Sequence, residues 1–366
     1  MNPTFENIHN RFRLNGNYYD REDLKEVAYS FVKEGKSFEK SIGEFLMDWL
    51  DDGDYVRVKT SGSTGEPKSI DLHKQHMVNS AIASGDFFGI SVGDSALHCL
   101  PARFIAGKMM LVRAMILGLE IDLIEPSLNP LANISREYDF SAMIPLQVMN
   151  SLGKLDQIKK IIVGGAPVSK ELIEGLQDRK TLTFETYGMT ETVTHIAAKQ
   201  LNNFRSTTAL RNAHFRVLPN ITISVDERNC LIIDAPNISN ETIVTNDIVH
   251  LVAEDAFDWL GRYDNVINSG GIKLIPEQIE DKLAEYINRR YFVYGIPDEK
   301  LGEKMVLVIE GSESEKQDFE ERISKIKSLD KYELPKDIFF SESFDETENA
   351  KVIRSSTIES ILNGKK

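Results

Sequence analysis

Short apolar runs alternate with helix-like stretches through the middle of this chain, and that alternation limits the folds open to it. Strands that alternate with helices predict βαβ units and therefore a largely parallel sheet. Residues 73–88 and 107–117 have the apolar spacing of helices, and the second stretch ends at Gly118. The apolar runs that predict strands are residues 55–58, 95–100, 119–124, 140–144, 160–163 and 181–184. The sequence thus predicts an α/β fold.

The character of the sequence changes twice towards its C-terminus. From about Phe215, short apolar runs separated by Asn, Asp and Pro turns predict a β-rich subdomain. A second boundary lies near Asp264, and the residues after it have the length of a small α+β domain. We therefore expect a large domain over residues 1–263, with mixed and parallel sheets, helices and the β-rich subdomain. A small α+β domain over residues 264–366 follows it.

The composition excludes several classes of partner. With 57 Asp and Glu against 43 Lys and Arg, the chain has a net charge of −14, which disfavours nucleic acid or an anionic membrane. Two cysteines, Cys99 and Cys230, cannot form a disulfide framework, and the seven histidines lack metal-site and catalytic-triad spacing. Charged residues interrupt the most apolar stretch, residues 100–124, and the N-terminus lacks a signal-peptide pattern. We expect a cytoplasmic protein that does not insert into a membrane.

Residues 60–68 read Thr-Ser-Gly-Ser-Thr-Gly-Glu-Pro-Lys. Glycines let backbone N–H groups approach an anion closely, and the hydroxyls and the lysine add further donors, so the segment has the composition of a phosphate cradle. It is not the common nucleotide P-loop, because Pro67 stands where that motif requires glycine. A polar surface loop is the alternative interpretation.

A carboxylate follows the last predicted strand of the alternating region, in the segment Glu185-Thr186-Tyr187-Gly188-Met189-Thr190-Glu191. A carboxylate beyond a strand end suits Mg²⁺, which binds few protein carboxylates and several phosphate or water oxygens. Thr190 would add a phosphate contact, and Tyr187 would offer an aromatic face to a base. The alternative is the start of a helix that Thr190 or Glu191 caps.

Further polar or small residues stand where a nucleotide site would use them. Residues 164–167, Gly-Gly-Ala-Pro, follow a predicted strand and would let a flat ring lie against the backbone. Asp247 suits ribose hydroxyls, and Arg262 suits ribose or phosphate. Nothing near Lys351 in the sequence marks it as catalytic. The alternative for residues 164–167 is a strand-to-helix turn, and the alternative for Asp247 is an exposed turn. Arg262 and Lys351 would alternatively be solvated side chains.

The order of these segments resembles the adenylate-forming superfamily of acyl-CoA synthetases, adenylation domains and luciferases, over roughly residues 55–355. The segments that carry the resemblance are, in chain order, TSGSTGEPK, GGAP, YGMTE, TND, GRYDNVINSGGIKLIPEQIE and NAKVIR. Residues 294–303, YGIPDEKLGE, are also similar to the C-terminal domain of that superfamily. The resemblance implies an enzyme that joins a carboxylate to AMP, releases pyrophosphate and passes the acyl group to a thiol. ATP, coenzyme A and Mg²⁺ are the implied substrates and cofactor.

The resemblance also implies a role for each matching residue in the nucleotide site. It assigns the β- and γ-phosphates to the loop of Thr60, Ser61, Gly62, Ser63, Thr64, Gly65 and Lys68. The implied catalytic residues are Thr190 at the α-phosphate, Glu191 as the Mg²⁺ ligand, and Lys351 between the substrate carboxylate and the α-phosphate. Gly165, Ala166 and Tyr187 are assigned to adenine, and Asp247 and Arg262 to ribose. Asp264 matches the hinge of a mobile small domain, and Gly270 and Gly271 match the passage for the pantetheine arm of coenzyme A.

The region around residues 100–113 resembles the acyl pocket of the o-succinylbenzoate–CoA ligases of menaquinone biosynthesis. It makes Arg113, Lys108 and Gly107 candidates for the acyl pocket, with Arg113 facing a second carboxylate of the substrate. A snorkelling or ion-paired arginine is the alternative. The implied activity is ATP- and Mg²⁺-dependent ligation of an aromatic or aliphatic carboxylic acid to coenzyme A, with o-succinylbenzoate as the expected acid. Another acid, a carrier-protein thiol as the acceptor, or a non-catalytic adenylate-binding protein are the alternatives.

The chain departs from the superfamily pattern in four places. The phosphate loop comes unusually early, which implies that the large domain is shortened at its N-terminus. Which residues form the outer wall of the acyl pocket, and whether the protein is a homodimer, are therefore open questions. Phe104 stands where the superfamily often has an aromatic residue or histidine, and Asn246 and Ala350 replace glycines. Alanine before Lys351 restricts that turn slightly.

Overall fold

The computed structural model describes residues 3–59, 69–204, 213–346 and 352–364. Within them, thirteen strands form one sheet, here called the large sheet, in the order β12-β13-β14-β15-β11-β10-β9-β8-β7-β5-β6-β1-β2. Its strands are β1 Arg13–Leu14, β2 Asn17–Tyr18, β5 Ser95–His98, β6 Glu120–Leu123, β7 Tyr138–Met143, β8 Ile158–Val163, β9 Leu182–Gly188, β10 His195–Gln200, β11 Phe215–Val217, β12 Thr222–Val225, β13 Cys230–Asp234, β14 Ile243–Ala253 and β15 Ala256–Arg262. Strands β3 Tyr55–Lys59 and β4 Ser69–His73 form a separate antiparallel pair.

The alternating region forms the parallel half of the large sheet, as the sequence predicts. Strands β6, β5, β7, β8 and β9 pair in parallel, so their carboxyl ends meet along one edge of the sheet. Met143 lies opposite Val163, and Val163 lies opposite Glu185. The helices of this part are α1 Arg21–Glu34, α2 Ser37–Leu50, α3 Lys74–Phe88, α4 Ile105–Leu117, α5 Pro145–Ser151 and α6 Lys170–Leu176. The predicted helices over residues 73–88 and 107–117 are confirmed as α3 and α4.

Helix α4 lies at the centre of this half of the molecule. Its residues from Gly107 to Ile116 are all buried, which agrees with an almost entirely apolar sequence, because a helix without a polar face is covered on every side. It ends at Gly118 in the left-handed conformation, with φ of 72°, a conformation that glycine adopts without a steric penalty. Helix α2 buries Phe45 and Trp49 in the same hydrophobic core as α4.

The β-rich segment predicted from Phe215 continues the large sheet. Strand β10 runs antiparallel to β9, and β11 to β15 extend the sheet with antiparallel pairs. The strand signals were therefore correct, and the segment is the antiparallel end of a sheet that begins in the βαβ region. Among the described helices, none is long and apolar enough to cross a membrane.

The last part of the described chain forms a second sheet, here called the small sheet. Its strands are β16 Ile267–Ser269, β17 Ile272–Leu274, β18 Tyr291–Asp298, β19 Gly302–Glu310 and β20 Asp337–Ser341, with helices α7 Pro276–Leu283, α8 Lys316–Ser324 and α9 Arg354–Gly364. Val293, Leu307 and Ile309 belong to a hydrophobic core that contains no residue of the large sheet. The predicted boundary at Asp264 falls in the short 3-10 helix Tyr263–Asn265 that connects the two sheets. We propose residues 1–263 and 264–366 as separate domains on this basis.

Candidate active site

The carboxyl ends of β8 and β9 place two of the predicted adenine segments side by side. The hydroxyl of Thr186, in β9, donates to the carbonyl oxygen of Val163, the last residue of β8, at 3.0 Å. A β-carbon on Gly164 would lie 2.6 Å from that hydroxyl oxygen, so a side chain there would displace the Thr186 hydroxyl from its hydrogen bond. Gly165 has a φ of 88°, which again favours glycine. The segment that begins at Gly164 is therefore in contact with Thr186, the residue before Tyr187, and the adenine assignment stays a prediction.

Asp247 is the centre of a hydrogen-bonded cluster at the same edge. The hydroxyl of Tyr187 donates to Asp247 Oδ2 at 2.7 Å, and the indole N–H of Trp259 donates to Asp247 Oδ1 at 3.1 Å. Arg262 lies opposite Asp247 on the paired strand, with its Nη1 3.6 Å from Asp247 Oδ1. The structure thus brings together the predicted adenine residue Tyr187 and the predicted ribose residues Asp247 and Arg262.

Burial fixes the protonation state of the tyrosine in this cluster. Burial and the neighbouring Asp247 carboxylate raise the pKa of Tyr187 far above its usual value, so its hydroxyl stays a donor. The ring packs edge-on against Phe257 and Phe215, with centroids 5.2 and 6.0 Å away. Tyr187 therefore holds Asp247 with its hydroxyl while its ring is fixed by two other aromatic rings.

Trp259 is a site residue that the sequence reasoning missed. It stands three residues before Arg262 in β15, and a bulge between Ile248 and Val249 shifts the pairing of β14 and β15 beside it. The register of two strands decides that its indole reaches Asp247, and no local sequence pattern encodes that register. The sequence offered one signal for Trp259: it is an aromatic residue in the predicted β-rich subdomain, close to the predicted ribose residue Arg262.

Arg262 also connects the nucleotide cluster to the predicted hinge. Its Nη2 donates to Asp264 Oδ2 at 3.3 Å, and the side-chain amide of Asn246 donates to the same carboxylate at 3.2 Å. Asn246 stands where the superfamily commonly has glycine, so this contact is a property of the present chain. Asp247, Arg262 and Asp264 form one continuous polar group.

A tight turn between β9 and β10 carries Thr190 and Glu191. Thr192 is fully buried, and its hydroxyl oxygen accepts from the backbone N–H of Met189 at 3.0 Å. The backbone N–H of Val193 donates to the carbonyl oxygen of Thr190 at 2.9 Å, and Val193 has a φ of 64°. A β-branched residue rarely adopts that conformation, and such strain persists where the surrounding contacts enforce it. The turn holds Glu191 in an exposed position beyond the strand end.

The position of Glu191 fits the single protein carboxylate that a nucleotide-bound Mg²⁺ needs. Glu191 is exposed and makes no ion pair with another described residue. Phosphate oxygens and water supply the other ligands in sites of this kind. In the described part of the chain, no group of three His, Cys, Asp or Glu residues has the arrangement of a metal site.

A cavity of about 300 Å³ lies beside this edge of the sheet, between α3 and the connections that follow β11 and β13. Its walls include Asn79, Ser80 and Ala83 from α3, Asn237, and His195 from β10. His195 pairs with Gly188, so the cavity borders the turn that carries Thr190 and Glu191. The lining combines small, apolar and uncharged polar side chains with one carboxylate, that of Asp86.

None of the three acyl-pocket candidates is among the residues that line this cavity, and their surroundings differ. Arg113 is 1% exposed and lies behind His195, with 3.5 Å between its Nη2 and His195 Nδ1. Lys108 points instead towards α2, with its Nζ 4.8 Å from the centre of the Phe45 ring, and burial lowers its pKa. Gly107 permits a close approach, because a β-carbon there would lie 2.4 Å from the carbonyl oxygen of Pro101. The structure thus brings only Arg113 close to a residue that lines the cavity.

The remaining predicted residues are not part of this cluster or are outside the described residues. Thr60, Ser61, Gly62, Ser63, Thr64, Gly65, Lys68 and Lys351 lie outside the described residues, so the phosphate loop and the catalytic lysine stay predictions. Lys59 and Ser69, on either side of the loop, lie opposite each other in the β3–β4 pair. Gly270 and Gly271 form the turn between β16 and β17 with φ of 60° and 82°.

Comparison with known proteins shows what this chain is similar to. A model of the family described as AMP-binding enzyme matches residues 56–235. A 2-succinylbenzoate–CoA ligase of Listeria monocytogenes serovar 1/2a is 25% identical over 326 residues, which are 81% of this chain and 68% of that protein. A 2-succinylbenzoate–CoA ligase of Bacillus cereus is 23% identical over 372 residues, which cover 92% of this chain and 75% of that protein.

Two solved structures extend the comparison. The acyl-CoA synthetase (AMP-forming)/AMP-acid ligase II-like protein from Dyadobacter fermentans is 36% identical, with a TM-score of 0.60, over 92% of this chain and 98% of that one. The o-succinylbenzoate coenzyme A synthetase from Bacillus subtilis, in complex with ATP and magnesium ion, is 21% identical, with a TM-score of 0.72. That match covers 94% of this chain and 83% of the Bacillus protein.

Proposed function

This chain belongs to the AMP-binding enzyme family and is an AMP-forming acyl-CoA ligase, and we propose that its acid substrate is o-succinylbenzoate. The observation that carries the nucleotide half is the cluster of Tyr187, Asp247 and Arg262 beside the Gly165 backbone. The observation that carries the acid half is Arg113, a buried cation without a carboxylate partner among the described residues, next to a residue that lines the cavity. Both lie at the carboxyl edge of one sheet, where the two substrates would meet.

In the first reaction, an oxygen of the acid carboxylate attacks the α-phosphorus of ATP, and pyrophosphate leaves. The electrostatic difficulty is that one anion approaches another, so fixed donors and cations at the α-phosphate lower the barrier. We assign that role to Thr190 and Lys351, with residues 60–68 holding the β- and γ-phosphates that leave. Bound at Glu191, Mg²⁺ would offset negative charge on the phosphate oxygens. Asp247 and Arg262 hold the ribose, which fixes the α-phosphorus relative to the acid.

In the second reaction, the thiol of coenzyme A attacks the acyl carbon and AMP leaves. We propose that the small domain turns about Asp264 between the two reactions, which removes Lys351 from the site and brings Gly270 and Gly271 to it. Glycines there leave room for the pantetheine arm. A domain movement of this kind lets one site present different residues in successive reactions. The reaction would take place in the cytoplasm.

The test is CoA-dependent AMP formation across a panel of aryl and fatty acids that includes o-succinylbenzoate. We expect o-succinylbenzoate to have the highest kcat/KM. Lys351→Ala should lower pyrophosphate release by about 100-fold or more, because a charge that stabilises the transition state is lost. The same variant should transfer a preformed acyl-adenylate to coenzyme A within about threefold of the wild-type rate.

Lys325→Ala is the matched control, because Lys325 is an exposed lysine of the small domain that pairs with Glu321 on α8. It should leave both reactions unchanged. Equal loss of both reactions in Lys351→Ala would contradict the assigned role. Tight ATP binding without turnover of any acid would favour the non-catalytic alternative, and transfer only to a carrier-protein thiol would change the acceptor.

A further inference from the structure

Three elements contribute to a buried chain of hydrogen bonds behind the cavity. Arg113 of α4 lies 3.5 Å, Nη2 to Nδ1, from His195 of β10, and His195 Nε2 lies 3.2 Å from the hydroxyl oxygen of Ser84 in α3. The Ser84 hydroxyl donates to the carbonyl oxygen of Ser80 at 2.9 Å. Arg113 is 1%, His195 5% and Ser84 0% exposed. The chain therefore ends on the helix backbone at one side and on a guanidinium at the other.

The direction of every bond in this chain is determined. Burial, followed by the charge of Arg113, holds the pKa of His195 well below its usual value, so the ring is neutral at pH 7. A neutral imidazole has one donor and one acceptor nitrogen. Because a guanidinium only donates, Nδ1 accepts from Arg113 and Nε2–H donates to Ser84. The Ser84 hydroxyl uses its hydrogen on Ser80 and so accepts from the ring.

Arg113 has donors that the described residues leave unused. Burial lowers its pKa to about 10, which still leaves it charged at neutral pH. No described carboxylate lies within ion-pair distance, and its Nε has no hydrogen-bond partner among the described residues. The hydroxyl of Ser80, which lines the cavity, also lacks a partner there. A buried cation without an anion is costly, and an anionic ligand group that reached Arg113 would offset that cost.

We propose that His195, which lines the cavity, is a positioning residue, whose Nδ1 holds the Arg113 guanidinium directly behind it for the carboxylate that is not joined to AMP. Ser84 keeps His195 in the tautomer that accepts from Arg113. The substrate class is thus a dicarboxylic acid with one carboxylate at the α-phosphate and the other at Arg113. This inference rests on the proposed function and assigns its specificity for a second carboxylate to a pair of residues.

Two substitutions of His195 separate positioning from packing. In His195→Asn, the side-chain oxygen reaches the place of Nδ1 and keeps an acceptor for Arg113. In His195→Gln, the longer side chain reaches the place of Nε2 and keeps the Ser84 contact, and it leaves no acceptor at Nδ1. Each variant is assayed by pyrophosphate release at saturating ATP, with o-succinylbenzoate and with an analogue whose far carboxylate is a neutral amide.

We expect His195→Gln to raise KM for the dicarboxylate by about tenfold, because one hydrogen bond to a charged group is lost. Its kcat should stay within about threefold of the wild-type value. KM for the amide analogue and for ATP should stay at the wild-type values. His195→Asn should restore KM for the dicarboxylate to within about threefold of wild type. Equal effects on the two acids, or an Asn variant as poor as the Gln variant, would show that His195 only fills space.

Ser84→Ala provides a second, smaller change if a His195 variant does not fold. It removes the group that fixes the tautomer and should raise KM for the dicarboxylate alone, by about two- to fivefold.

Arg113→Met separates this inference from the proposed function. If Arg113→Met abolishes the preference for the dicarboxylate and neither His195→Gln nor Ser84→Ala changes it, the positioning role is wrong and the acid assignment stands. If wild-type protein turns over no dicarboxylate, both are wrong.

Discussion

At the scale of single residues, the nucleotide cluster depends on how Asp247 is held. Its carboxylate is 5% exposed and receives donors from Tyr187 and Trp259, with Arg262 close by. A carboxylate buried to this degree needs hydrogen-bond donors to replace the water that it has lost. Its ability to accept from ribose hydroxyls therefore depends on side chains that do not themselves touch ribose.

Tyr187→Phe tests that dependence. The ring and its contacts with Phe257 stay, and only the hydroxyl that donates to Asp247 at 2.7 Å is lost. Because a hydrogen bond to a charged group contributes about 1.5–3 kcal/mol, we expect KM for ATP to rise by about tenfold or more and KM for the acid to stay unchanged. Pyrophosphate-release kinetics with each substrate varied in turn measure both.

Tyr138→Phe is the matched control, because the hydroxyl of Tyr138 donates to Asp122 Oδ2 at 2.9 Å far from the cluster. It should leave KM for ATP unchanged. A Tyr187→Phe enzyme with wild-type KM for ATP would contradict the proposal that this hydroxyl keeps Asp247 ready for ribose.

The structure groups residues that the sequence named, but the sequence did not name their partners. Tyr187, Asp247 and Arg262 were predicted because they lie in ordered motifs, whereas Trp259 and His195 were missed. Their roles depend on strand register and on helix packing between residues far apart in the chain, such as Ser84 and His195. Those contacts are decided by the whole fold, and one sequence does not encode them locally.

At the scale of elements, the turn from β9 to β10 is the most constrained part of the site. A β-carbon on Gly188 would lie 2.3 Å from the carbonyl oxygen of Thr194 and 2.4 Å from the α-carbon of His195. Both are backbone atoms and cannot move aside without displacing the turn. The positions of Thr190 and Glu191 therefore depend on the absence of a side chain at Gly188.

Gly188→Ala should lower pyrophosphate release by about tenfold or more, because an ångström-scale displacement of catalytic groups costs up to about 100-fold. Gly153→Ala is the control, since a β-carbon there meets no atom within 4 Å. The control should keep full activity and change the free energy of unfolding by less than about 1 kcal/mol. Full activity in Gly188→Ala would mean that the turn tolerates displacement.

Element type was more predictable than element pairing. The helices over residues 73–88 and 107–117 and the strands of the βαβ region were recognisable from their apolar spacing. The two-residue strands β1 and β2 at one edge of the large sheet carry no such signal, and they form because Arg13 and Leu14 pair in parallel with β6. Short edge strands follow from tertiary contacts, so a pattern search does not find them.

At the scale of the whole molecule, the two sheets have separate cores. Leu307 and Val293 belong to the small sheet's core, and Leu111 belongs to the core of the large sheet. Contacts between the two parts include α7 against β15, where Gly261 lies close to Glu277. Separate cores predict that the small domain can lose stability without unfolding the large one.

Leu307→Ala tests this prediction, because both tryptophans of the chain, Trp49 and Trp259, lie in residues 1–263. Truncation of this fully buried side chain should destabilise the small domain by about 2–5 kcal/mol. In urea, the circular dichroism transition should broaden or split while the tryptophan fluorescence midpoint stays unchanged. Leu111→Ala, at a site 1% exposed in α4, should shift the fluorescence midpoint. A fluorescence midpoint that falls equally in both variants would show a single cooperative unit.

The change in sequence character near Asp264 predicts the domain boundary that we propose, but no sequence feature predicted the continuity of the large sheet. From about Phe215 the local pattern is that of an independent antiparallel unit. Among the described strands, β10 joins it to the parallel half, because β10 pairs with β9 on one side and with β11 on the other. Each of these strands alone looks the same whether the sheet is continuous or divided.

The guanidinium of Arg262 contacts both Asp247 and Asp264, and that sharing has a thermodynamic consequence. If the small domain turns about Asp264, the distance between Arg262 and Asp264 changes. The strength with which the Arg262 guanidinium binds Asp247 and ribose then changes with it. Linkage then requires the reverse effect, in which ribose occupancy biases the angle between the domains by the same free energy. AMP would thus be held most firmly at one domain angle and released at another, so product release and domain reset would be a single coupled event.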